Sequence, residues 1–179
     1  MMKRHLCLLA VPLLSIAACM DTSDPDSAAD TSSQASAVSA DDIVQVDTHV
    51  CESFGDQRCI GAPDLAFESP VRETATGRTL RIVAVTGGVH LSFLADTSRC
   101  VAVKNGSTSV EVRACSGVQS AVWTLHRGQN ADSCMFKNTV NSLFLAGPNN
   151  GGQFNTVGAN ATGGWLKQFT IQGFTCPNP

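Results

Sequence analysis

The residues of this chain that could do chemistry are its cysteines, its histidines, one pair of acids and one tryptophan among amides. The cysteines Cys51, Cys59, Cys100, Cys115, Cys134 and Cys176 form no C-x-x-C pair and no Cys/His spacing of a zinc site, so no metal is expected. His49, His90 and His126 belong to no nucleophile or metalloprotease motif, and neither Gly-x-Ser-x-Gly, His-Glu-x-x-His nor a phosphate loop occurs. Glu68 and Glu73 could be drawn as a glycosidase pair. They flank Pro70 in a loop, however, where a solvated reading suits them better. No enzyme activity and no cofactor are expected. What remains is recognition. Trp165 follows Gly163 and Gly164, and Asn149, Asn150, Asn155 and Asn160 lie nearby in sequence. An indole face stacks on a sugar ring while amides bond its hydroxyls. The competing reading has Trp165 packed beneath the Gly-rich loop, and both stand at this point.

The start of the chain is not fold. Lys3 and Arg4 precede an apolar run from Leu6 to Ala18, the pattern of an export signal. It ends Ile16-Ala17-Ala18-Cys19, which resembles the lipobox of bacterial lipoproteins. That resemblance implies cleavage after residues 1–18, acylation of Cys19, and anchoring to a bacterial membrane at its periplasmic face or at the cell surface. Several acyl chains hold a protein stably where one does not. Residues 19–42 are rich in Asp, Ser, Thr and Ala, with Asp21, Asp24, Asp26, Asp30, Asp41 and Asp42 facing no base. Such a stretch cannot bury enough apolar surface to order itself, and reads as a flexible tether.

Residues 43–179 suffice for one domain. Ten Lys and Arg face nine Asp and Glu there, so the formal net charge of −3 for the whole chain resides in the tether. A near-neutral domain without basic clusters argues against nucleic acid as a partner. The lipid is the only membrane contact expected. An even number of cysteines in an exported domain reads as three disulfides, with fifteen connectivities open.

The elements that must position these residues are strands. Leu80 to Val85, Val110 to Ala114 and Phe169 to Ile171 are short, β-branched and partly alternating. Between them lie turn formers such as Thr86-Gly87-Gly88, Lys104-Asn105-Gly106-Ser107 and Gly147-Pro148-Asn149-Asn150-Gly151-Gly152. The domain is therefore all-β. It also repeats. Arg58-Cys59-Ile60-Gly61-Ala62, Arg99-Cys100-Val101-Ala102-Val103 and Ser142-Leu143-Phe144-Leu145-Ala146 are three similar strand starts. A Gly turn leading to an aromatic recurs at Phe93, Trp123 and Phe169. Over about residues 55 to 174 this pattern resembles the ricin B-type β-trefoil, whose repeat runs "C-L-D-V … V-x-L-W-x-C … G-x-x-Q-x-W". The middle repeat matches best, through Arg99 to Val103, Val110 to Cys115 and Gln119 to Trp123.

The resemblance implies a disulfide-stabilised β-trefoil of three repeats of about 40 residues. It places Phe93, Trp123 and Phe169 in a shared core near the pseudo-threefold axis. It also implies the bridges Cys100–Cys115, Cys134–Cys176 and Cys51–Cys59. Sugar-binding members of that family use an Asp in the first segment, an aromatic in the second, and an Asn or Gln. Here the Asp positions carry Gly61, Ala102 and Leu145, and the aromatic position of the middle repeat carries Arg113. The expected function is thus a membrane-anchored, extracytoplasmic recognition module with weak or atypical carbohydrate binding, its site at Trp165 and the amides of the third repeat. Its partner would be a glycan or a cell-surface protein. The alternative is the same trefoil without a sugar site, serving as a scaffold or protein-interaction domain.

Overall fold

The structure is a computed structural model that describes residues 45–53, 57–130, 132–148, 150–161 and 168–176. Cys19, the leader and tether, Asn149 and Trp165 lie outside the described residues. The described residues form thirteen strands. They are β1 (Gln45–Thr48), β2 (Val50–Glu52), β3 (Cys59–Gly61), β4 (Arg72–Thr74), β5 (Leu80–Val85), β6 (Gly88–Phe93) and β7 (Asp96–Val103). Then follow β8 (Val110–Ala114), β9 (Val122–Arg127), β10 (Ser133–Asn138), β11 (Phe144–Ala146), β12 (Asn155–Val157) and β13 (Phe169–Ile171).

Local sequence explains the elements. Leu80 and Ile82 of β5 are buried while Arg81 and Val83 between and after them are partly exposed, the period of two that a half-buried strand requires, which lapses at exposed Ala84 near the turn. Gly87, at φ 85°, supplies the left-handed residue of the tight turn into β6.

Antiparallel pairing runs from β1 through β5, β6, β9, β10 and β13 to β2. Because β1 and β2 are interrupted only at His49, this order closes a six-stranded barrel. The pairs β3/β4, β7/β8 and β11/β12 are hairpins that grow from β2, β6 and β10. The chain therefore reads as three four-strand units: β1/β2 to β5, β6 to β9, and β10 to β13.

A ring of three backbone hydrogen bonds ties the hairpins together. The Val71 N–H donates to the Val110 carbonyl at 3.1 Å, Val110 to Phe154 at 3.0 Å, and Phe154 back to Val71 at 2.8 Å. All three residues are fully buried. No hairpin could satisfy these amides alone, since an unpaired buried N–H costs about as much as a lost hydrogen bond. Closing the ring needs all three units, which is why a single unit is not a stable fold. This is a β-trefoil.

Leu80, Phe93, Trp123, Phe136, Phe154 and Phe169 are fully buried in one core. Phe169 meets Phe136 at 5.7 Å and Phe154 at 6.1 Å between ring centroids. The Trp123 indole N–H donates to the Val101 carbonyl at 2.8 Å, so its one polar atom is satisfied.

The register corrects one repeat assignment. From the sequence, Phe93 stands in the place of Trp123 and Phe169. In the structure Phe93 ends β6, the first strand of the second unit, and is paired with Leu80 on β5. Trp123 on β9 is paired with Asn138 on β10, and Phe169 on β13 with Glu52 on β2. Leu80, Trp123 and Phe169 are therefore the equivalent trio, and Phe93 matches Asn138 and Glu52. The Gly87-Gly88 turn joins two units rather than ending one.

Three disulfides fasten the units: Cys51–Cys59 between β2 and β3, Cys100–Cys115 across β7 and β8, and Cys134–Cys176 from β10 to the stretch after β13. Such bridges persist in oxidising, extracytoplasmic surroundings.

Candidate functional site

The hairpin register locates the three positions that the resemblance assigns to a sugar-binding Asp. Gly61 faces Arg72, Ala102 faces Glu111, and Ala146 faces Asn155. The third position is therefore Ala146, not Leu145. Leu145 is fully buried and paired with Thr156, one residue out of step. A one-residue slip reverses the face of a strand, so the distinction matters. The matching aromatic positions hold Thr74, Arg113 and Val157. No unit carries the carboxylate or the ring there.

In the middle unit a different set occupies that surface. Glu111, buried within β8, accepts from the Arg113 Nε at 2.6 Å, and the Arg113 Nη2 contacts the same carboxylate. Arg113 also reaches Glu68 at 3.6 Å. Beside it the Arg99 guanidinium lies 3.6 Å from the centroid of the Phe67 ring, and its Nε stands 3.5 Å from Asp96. Phe67 remains 53% exposed, and the Glu68 side chain 68%.

The loop that holds Phe67 out is pinned at both ends. Asp64 accepts from the Ala66 N–H at 2.9 Å and from the Ser69 hydroxyl. The Glu68 N–H donates to the Val112 carbonyl at 2.9 Å, and the Val112 N–H to Ser69 at 2.8 Å. Glu68 itself adopts φ 68°, a conformation disfavoured for a residue with a Cβ. Hydrogen bonds from Ser69 and Ala66 hold the Asp64 carboxyl below the usual carboxylate range. Those from Ser98 do the same for Asp96. Both acids stay ionised at neutral pH. The result is an exposed apolar ring on the β3–β4 loop, stacked against Arg99 of β7, with the ionised Asp96 beside that guanidinium.

The other residues singled out from the sequence are distributed differently. Asn155 lies on β12 and donates to the Gln153 carbonyl at 3.2 Å; Asn150 accepts from the Gly152 N–H at 3.1 Å. Asn160 is exposed in the turn after β12. Glu68 and Glu73 share no environment: Glu68 is exposed, whereas Glu73 is buried and accepts from the Gly151 N–H at 2.8 Å. His49 lines a cleft of about 370 Å³ with Glu52, Gln57, Thr170 and Gln172. A larger groove of about 650 Å³ runs between the β7–β8 turn and residues 140–143, lined by Asn105, Ser107, Thr108, Ser120 and Asn141. Phe67 and Arg99 were not indicated by sequence. Phe67 sits in an aperiodic loop between Pro63 and Pro70, and only its being the one aromatic residue there was a signal.

No protein-family description and no curated protein matches the sequence. Solved structures do match the fold. One is a mosquitocidal holotoxin, at 12% identity and TM-score 0.62 over 71% of this chain, which spans 17% of the toxin's length. Another is the designed threefold-symmetric protein ThreeFoil, at 14% identity and TM-score 0.60, with 70% of this chain and 96% of ThreeFoil covered. SeviL, solved with the asialo-GM1 saccharide, matches at 13% identity and TM-score 0.52 over 72% of this chain and 96% of its own. At such identities the likeness speaks for architecture alone, and it agrees with the ring of hairpins: the chain has the β-trefoil fold.

Proposed function

We propose that this chain is a non-catalytic, extracytoplasmic recognition module, lipid-anchored through Cys19, that binds carbohydrate on a platform where Phe67, from the β3–β4 loop of the first unit, meets Arg99 of the middle unit. The observation that carries this reading is the half-exposed Phe67 ring braced by Arg99, with Asp96 against that guanidinium and Glu68, next to Phe67 in sequence, paired with Arg113. A pyranose has an apolar C–H face and a rim of hydroxyls. The ring supplies the stacking surface. Carboxylates and guanidinium groups bond hydroxyls more strongly than neutral partners do. SeviL, a trefoil of the same fold, was solved with a saccharide, which supports the ligand class. Each neutral hydrogen bond nets only about 1 kcal/mol, so a shallow platform gives affinity on the order of millimolar. Tethered copies on one membrane gain useful avidity.

A second reading, a scaffold or protein-interaction trefoil, is favoured by Gly61, Ala102 and Ala146 at the three Asp positions. A glycan array separates the two. Binding that Phe67→Ala abolishes, with an unchanged circular dichroism spectrum, supports the platform. Binding lost with Trp165→Ala but not with Phe67→Ala moves the site to the third unit. A blank array leaves the scaffold. For the anchor, Cys19→Ser is expected to shift the protein from membrane to soluble fraction, and an unchanged distribution refutes acylation at Cys19.

A further inference from the structure

His90 stands against the Cys100–Cys115 bridge, and one imidazole nitrogen and both sulfurs all lie within 4.8 Å of one another. Three strands deliver them. His90 comes from β6, facing Val83 on one side and Val122 on the other. Cys100 is on β7, paired with Ser92 of β6 and Arg113 of β8. Cys115 directly follows β8. Their setting is a small satellite core of Ala102, Ala121 and Val118, separate from the main one. Cys100 is fully buried and Cys115 is partly exposed.

While the bridge is intact, both sulfurs are committed to each other and bind no ion. A small dithiol changes this. Its thiolate attacks the accessible Cys115 sulfur, the sulfur–sulfur bond breaks, and Cys100 leaves and takes up a proton. The second thiol of the reductant then displaces Cys115, so the dithiol is oxidised to its cyclic disulfide and the chain gains two thiols. A divalent ion that binds both displaces their two protons to solvent.

We infer that the reduced chain holds a Zn²⁺ ion on Cys100, Cys115 and His90, with water in the fourth position on the exposed Cys115 side. The Cα atoms of the two cysteines are 5.0 Å apart, so the sulfurs can separate without moving the hairpin. Zinc takes sulfur at about 2.3 Å and imidazole nitrogen at about 2.0–2.1 Å in a tetrahedron. That geometry sets the sulfurs roughly 3.8 Å apart, so once the bond is broken the two cysteine side chains must rotate away from each other to reach it. The site is thus the middle hairpin's alternative to its disulfide: one state is covalent, the other metal-linked, and both fasten β7 to β8.

The test uses the full chain, reduced anaerobically with a dithiol, freed of reductant and titrated with Co²⁺ as a spectroscopic stand-in for Zn²⁺. A thiolate-to-cobalt charge-transfer band with tetrahedral ligand-field intensity is expected, saturating with a contribution of about one equivalent that the oxidised protein lacks. Zn²⁺ should displace it. His90→Gln, which keeps the disulfide, should weaken Zn²⁺ binding tenfold or more, on the order of losing a metal-site group. The pair Cys100→Ser and Cys115→Ser retains the other four cysteines and should lose this equivalent. Should that pair fail to fold, His90→Gln decides alone. The inference is overturned if reduced protein binds no Co²⁺, if the serine pair keeps the full signal, or if His90→Gln leaves the affinity and spectrum unchanged.

Discussion

A methyl group at Gly147 would overlap the carboxylate oxygens of Glu52 and Glu73, both buried. These acids belong to the first unit, at the places where the other units carry Phe93 and Asn138, and Val112 and Thr156. The Gly147 loop is what covers them, since the Glu73 carboxylate and N–H bond Gly151 and Gly152. Gly147→Ala should therefore lower stability by about 1–3 kcal/mol, read as a lower urea midpoint with unchanged slope. Two histidines carry a second prediction at this scale. Burial holds the pKa of His90 below its ordinary value, and burial with the nearby Lys137 does so for His126. The unfolded chain then binds more protons than the folded one just below the ordinary histidine pKa. Stability is thus full above about pH 6.5 and falls as pH drops through the lowered folded values. Unfolding followed from pH 8 to 5 should show the decline, and His90→Gln with His126→Gln should flatten it. Single residues were also where the sequence was least legible. Nothing in an aperiodic Pro-bearing loop foretells that Asp64, Ser69 and Val112 hold Phe67 outward.

Strands carry the threefold pattern, and their register is what sequence matching misjudged. Leu80 to Val85, Val110 to Ala114 and Phe169 to Ile171 could be bounded from β-branched content and flanking glycines, and the structure gives them as β5, β8 and β13. The partners of those strands could not be. A Gly-Gly turn followed by a phenylalanine occurs at Phe93 because β6 begins a unit, whereas the same spacing at Phe169 ends one. Only pairing separates the two, and pairing joins residues far apart in the chain. Likewise Leu145 and Ala146 are both apolar, and the bond pattern of β11 with β12 decides between them. The equivalence of Leu80, Trp123 and Phe169 has an energetic consequence. Each lies within the first two residues of the last strand of its unit and is fully buried, but Trp123 is the largest and also donates to the Val101 carbonyl. Trp123→Ala should cost about 3–5 kcal/mol through the cavity and the unpaired carbonyl. Trp123→Phe should recover most of the packing and none of the hydrogen bond. Guanidinium unfolding of the two variants measures both, and equal losses would assign the effect to the hydrogen bond.

At the scale of the whole molecule, closure of the barrel depends on the third unit meeting the first, through β13 and β2. The three disulfides relate to that closure unequally. Cys51 and Cys59 are eight residues apart and already opposite each other across β2 and β3, so their bridge repeats a constraint that the sheet imposes. Cys100 and Cys115, fifteen apart, close one hairpin. Cys134 and Cys176, forty-two apart, span the entire third unit and tie the chain's last described residue to β10. Loop-closure entropy removed from the unfolded chain grows with the logarithm of the enclosed length, giving roughly 2.5, 3 and 4 kcal/mol in turn. The Cys134/Cys176 bridge should therefore matter most, and for a reason beyond entropy. When it is cut, β13 is held to the barrel by only short ladders, two paired residues to β10 and three to β2. Replacing each pair with serine and measuring guanidinium unfolding should rank the losses in that order. The Cys134/Cys176 variant should also show early amide exchange in β13 and in its neighbour β2. If the Cys51/Cys59 variant proves the least stable instead, strand pairing does not close that loop in the unfolded chain, and the first unit rather than the third limits barrel closure.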